Sequence, residues 1–121
     1  MTVINLINVS TITPTTVAGA VTTSRASIID VASDKCAKVN SLLIANIDGT
    51  NAADITVEVS VDNGSNYFAI AKTVSVPADA TLVVVGKDNG FYLDETDILA
   101  VTASANSDLT YLCSFDLMDD A

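Results

Sequence analysis

Apolar and polar positions alternate most clearly between Val39 and Val61, VNSLLIANIDGTNAADITVEVSV. In its second half Ile55, Val57, Val59 and Val61 fall on one side and Thr56, Glu58 and Ser60 on the other, the period of two of a half-buried strand. The first half packs Leu42, Leu43, Ile44 and Ala45 in succession, which predicts apolar neighbours on both faces. Between them Asp48-Gly49-Thr50-Asn51 has turn composition, so the pair reads as a long central hairpin. Further strands follow. Arg25–Val31 precedes the hairpin, and after it come Tyr67–Val76 (Phe68, Ile70, Val74 and Val76 on one face) and a short buried strand, Leu82–Val85. Phe91–Leu93, Ile98–Ser104 and Leu109–Leu117 close the chain, the last with Leu109, Tyr111, Cys113, Phe115 and Leu117 inward. Turn residues recur between these segments, at Asp62–Asn66, Pro77–Asp79, Gly86–Gly90 and Asp94–Asp97.

No stretch holds a helical period, so the fold class is all-β: a single antiparallel β-sandwich, jelly-roll or immunoglobulin-like. Residues 25–121 form the sandwich. Residues 1–24 stand apart, because TVINLINVSTITPTTVAGAVTTS is rich in β-branched residues, carries no charge and keeps no strict alternation. Two readings compete for it: an edge strand broken at Pro14, or an extended N-terminal arm that packs on a neighbouring subunit. On the second reading the assembly contacts are Val3, Ile4, Leu6, Ile7, Val9 and Ile12.

Composition narrows the function. Fifteen acidic residues against five basic ones give a net charge of −10, which disfavours nucleic acid and anionic membrane surfaces as partners. The chain has no apolar run long enough for a membrane helix, and its first residues lack the basic start and apolar core of a signal peptide. Cys36 and Cys113 are therefore expected to be buried free thiols. There is no histidine, which removes the usual Ser-His-Asp and Cys-His catalysis and imidazole metal sites. No CxxC pair and no glycine-rich phosphate loop is present. The acidic groups at Asp62-Asn63-Gly64 with Asn66, and at Asp94, Glu95 and Asp97, have the residue types of a hard-cation site. They lack an EF-hand spacing and match ordinary β-turn composition better. With no Trp and few aromatics, a sugar-stacking platform is poorly supplied. The expectation is a protein that is not an enzyme and uses no cofactor and no metal.

The stretches KVNSLLIANIDGTNAADITVEVSVDNG and TVSVPADATLVVVGKDNGFYLDETDILAVTASANSDLTYLCSFDLMD resemble small virion structural proteins of tailed bacteriophages, especially marine and cyanobacterial phages. The likeness spans roughly the last 85 residues, in the order of its turn and core motifs. It implies a virion component assembled in the host cytoplasm, of capsid decoration (cement) type. Such a protein would grip the major capsid protein and cluster as a homo-oligomer, a trimer or ring. A place in the neck, tail or fibre base is the alternative, and a glycan-binding module a more distant one.

Overall fold

The computed structural model describes residues 5–120. Val3 and Ile4 lie outside the described residues. After a single 3-10 turn at Leu6–Asn8 come nine strands: β1 (Val9–Ala20), β2 (Ala26–Asp30), β3 (Lys35–Asn46), β4 (Ala53–Ser60), β5 (Phe68–Val76), β6 (Thr81–Val85), β7 (Phe91–Leu93), β8 (Ile98–Ala103) and β9 (Leu109–Asp120). One sheet runs β1-β9-β3-β6, with β7 also paired to β3, and the other runs β2-β8-β4-β5. Every pairing is antiparallel. The chain changes sheet at most of its connections, which is the wrap of a jelly roll.

The core is the apolar side of each alternation. Leu42, Ile44, Ile55, Val57, Leu93, Leu99, Leu109 and Cys113 are fully enclosed between the sheets. Val21, just past β1, is buried with them, and Val17 packs against their edge. Cys36 and Met118 form a separate small cluster with Val9 near the start of β1. Both cysteines are free and buried. Cys36 lies opposite Met118, five residues along β9 from Cys113. That spacing is about 17 Å, far beyond the roughly 7 Å that a disulfide can bridge.

Three expectations need correction. The stretch Val39–Val61 is not a hairpin: β3 pairs with β9, β6 and β7, whereas β4 pairs with β8 and β5. The turn carries the chain from one layer to the other, so the inner sides of both strands face one core. Buried Asn46 anchors it, its amide donating to the carbonyls of Asn51 and Val76 and its oxygen accepting from the Asp48 N–H. In β5, Phe68 and Ile70 are exposed rather than aligned with buried Val76. The first of two register shifts against β4 breaks the parity before Ile70, and Thr73, at φ 45°, donates its N–H to Thr56 Oγ1 there; the second restores it, and Phe68, opposite Val59, is exposed at the start of the strand. Finally, β6 is an edge strand with Val83 59% exposed, and Leu43 and Ala45 of β3 are only half-buried. The outer face of the first sheet is open around Leu43, Leu112 and Val83, whereas Met118 and Cys36, farther along the same face, are buried with Val9.

Candidate assembly surface

The outer face of the first sheet is built by register. Ala18, Leu112, Leu43 and Val83 pair in sequence across β1, β9, β3 and β6, forming one apolar row four strands wide. Leu112 and Val83 are largely exposed, so the row meets solvent. The neighbouring row is small and neutral: Ala20, Thr110, Ala45 and Thr81. On the other side lie Thr16, Ser114 and Ser41, with the hydroxyls of Thr16 and Ser114 3.0 Å apart. Beyond them Pro14, Asp116, Lys38 and Tyr92 make a row with one charge of each sign, and Lys38 Nζ stands 5.9 Å from the Tyr92 ring centre. The charges at these register positions therefore cancel, although the chain carries −10.

The rim of this face is β1. Its register with β9 is unbroken from Thr11 to Ala20 and shifts only between Val9 and Thr11. Val21, continuing the register, donates its N–H to the Leu109 carbonyl at 2.9 Å. Alternation then aims the backbone groups of the odd residues Gly19, Val17, Thr15 and Thr13 at β9. Those of Ile12, Pro14, Thr16, Ala18 and Ala20 point outward. Pro14, which has no N–H, thus falls where the ladder loses nothing. Gly19 lets the strand pass beneath Tyr111, since a Cβ there would come within 3.1 Å of the ring.

Of the arm residues singled out by sequence, Leu6, Ile7 and Ile12 are exposed, Ile7 by 90%. Val9 is half-buried against Cys36 and Met118. Val9 and Ile12 belong to β1, while Leu6 and Ile7 lie in the turn before it. The row through Leu43, Val83 and Leu112 was missed. Its signal was the unbroken apolar run at 42–45, which sequence reasoning assigned to a doubly covered strand.

The acidic groups serve the backbone. Glu95 accepts from the Asp34 N–H at 2.8 Å, and Asp97 Oδ2 from the Asp94 N–H at 2.9 Å. Thr96 N–H to Val31 and Val31 N–H to Asp97 complete a clasp between the turns before β3 and β8. Burial pushes the Asp97 carboxyl up. Asp62 accepts from the Asn66 side chain and N–H and from the Ser60 hydroxyl, which hold its carboxyl below the usual range. Among the described residues no three metal-ligating side chains gather. Arg25 pairs with Glu58 at 3.0 Å and lies 3.9 Å over the Tyr67 ring, both outside the second sheet's core.

No protein-family model and no curated protein matches the sequence. Among solved structures, the fold is similar to that of a protein of the Bacillus endospore appendages, which are disulfide-linked pili. The TM-score is 0.54 at 13% identity, over 92% of this chain and 88% of that one. Looser overlaps are with the Drosophila NLP core (TM-score 0.46, 15% identity, 84% of this chain and 96% of that one) and with a pentameric capsid protein from metagenomic phage sequences (TM-score 0.40, 17% identity, 95% and 67%). At these identities the first likeness establishes the sandwich alone.

Proposed function

We propose that the chain is a non-catalytic structural subunit of a tailed-phage virion, a decoration (cement) protein that binds the major capsid protein and stabilises the shell. The observation that carries this reading is a sheet face with balanced charge and an exposed apolar row, bordered by a charge-free strand, on a chain of net −10. A protein that acted alone in solution would gain from acidic residues on this face, as its other surfaces have them. The exposed Leu6, Ile7 and Ile12 extend the uncharged surface. Together with Val3, Ile4 and Val9 they form the segment that seats on the shell. The same sandwich occurs in a pilus protein, which fits a building role.

The test is incorporation. Particles bearing the full chain are compared with particles bearing a chain lacking residues 2–13, and copy number is measured by quantitative mass spectrometry. A cement protein is present in roughly hundreds of copies by shell symmetry, and the truncated chain is lost from the particle. About a dozen copies would place the chain at the neck or tail instead.

A further inference from the structure

We infer that β1 is the pairing edge for a second copy of this chain, joining two first sheets antiparallel into one continuous sheet about a two-fold axis at Ala18. The four sheet edges differ in how they meet solvent. On one edge β6 and β7 are only five and three residues long. β2 has five residues, a register shift and Asp30 at its end. β5 is broken by two register shifts and carries Lys72. These are the features that keep edges from pairing. β1 is twelve residues long and has no charged side chain. Its own irregularities, the shift after Val9 and Pro14, lie in its first half. From Thr15 to Ala20 nothing blocks it.

In that half the backbone groups of Thr16, Ala18 and Ala20 point away from β9, and all three residues are exposed. A row of outward amides and carbonyls is matched only by another extended backbone. A second copy of β1 fits for two reasons. It brings no acidic group to the contact, which few other surfaces of so acidic a chain could avoid. It also chooses its own register. With Ala18 facing Ala18 of the second copy, Thr16 faces Ala20 and the outward amides are matched, while Pro14 falls beyond the paired segment, opposite Thr22. The apolar rows then meet end to end, and Ala18, Leu112, Leu43 and Val83 of each copy make one stripe across the joined sheet.

The contact is small, so it is read at high concentration. Light scattering on the full chain at up to roughly 1 mM, where contacts worth a few kcal/mol become populated, is expected to approach twice the 12.5 kDa chain mass. Ala18→Pro removes an outward N–H and leaves the β9 ladder intact. It should return the mass to that of the monomer with an unchanged melting temperature. Geometry is tested by cross-linking: under mild oxidation Ala18→Cys forms a covalent dimer, Thr16→Cys alone does not, and a mixture of Thr16→Cys with Ala20→Cys does. A monomer throughout, a dimer that survives Ala18→Pro, or cross-linking of Thr16→Cys by itself would overturn the inference. The measurement uses the purified chain alone, so its failure leaves the virion reading standing, and absence from particles leaves the pairing standing.

Discussion

Leu43 and Leu112 face each other across β3 and β9, and one residue along, Leu42 faces Cys113. Leu42 is fully buried, whereas Leu112 is 42% exposed. Leu42→Ala should cost about 3 kcal/mol through lost burial and the cavity left behind. Leu112→Ala should stay within about 0.5 kcal/mol, because solvent already reaches it. Urea unfolding of the two variants checks the contrast, and an equal cost would mean that the outer row is covered within the single chain. Cys113 is pushed up to about 11 by burial. Cys36 is also raised, first by burial and then by the charges of Asp94 and Asp97. Both thiols are protonated and enclosed at neutral pH, so labelling by a thiol reagent should proceed no faster than global unfolding. Asp62 gives the pH dependence. Its folded pKa is depressed, so its contribution is present above the ordinary carboxylate value and lost as pH falls through the folded value. Asp48 and Asp119 act in the same sense, the first through the Thr50 and Asn51 N–H groups, the second through Lys35. Asp97 opposes them, because its raised pKa favours the fold as it protonates. Asp62→Asn should lower the melting temperature at neutral pH and shrink the loss on going from about pH 7 to about pH 3. A loss as large as in the parent chain would assign the acid sensitivity to other carboxylates.

At the scale of elements, β7 shows how closely some strands are held. A Cβ on Gly90 would come 2.7 Å from the Val39 carbonyl oxygen, a backbone atom that cannot swing away. Gly90→Ala must push β7 off β3, where Val39 pairs with Phe91. The cost should be about 1–3 kcal/mol, as for other overpacked sites, read as a lower urea midpoint with an unchanged slope. The positions of the strands were legible because alternation and turn residues are local: the segments at Ile55–Ser60, Ile98–Ala103 and Leu109–Leu117 fall where the pattern puts them. Pairing was not legible. A turn such as Asp48–Asn51 shows that the chain reverses, not whether it returns beside itself or in the opposite layer. The bulges in β5 were hidden for a related reason, since an extra residue changes parity without leaving a mark in composition. The apolar run at Leu42–Ala45 was seen, but one sequence cannot distinguish a face covered by its own chain from one left open. The lack of charge in the N-terminal segment was plain in the sequence, but the direction of the outward amides of β1 needed the β9 register.

Charge at the scale of the whole molecule decides how copies meet. Each chain carries −10, so two copies repel as they approach, over a distance set by ionic strength. The contact at β1 is itself uncharged, and the rows beside it hold Asp116 and Lys38 in balance. Salt therefore weakens the repulsion without weakening the attachment. Self-association should increase when salt is raised from about 20 mM to about 500 mM, where the Debye length falls from roughly 20 Å to about 4 Å. Light scattering at fixed protein concentration measures it, and Ala18→Pro should show no such rise. Dissociation by salt would mean that copies are held by ion pairs and not by a strand edge.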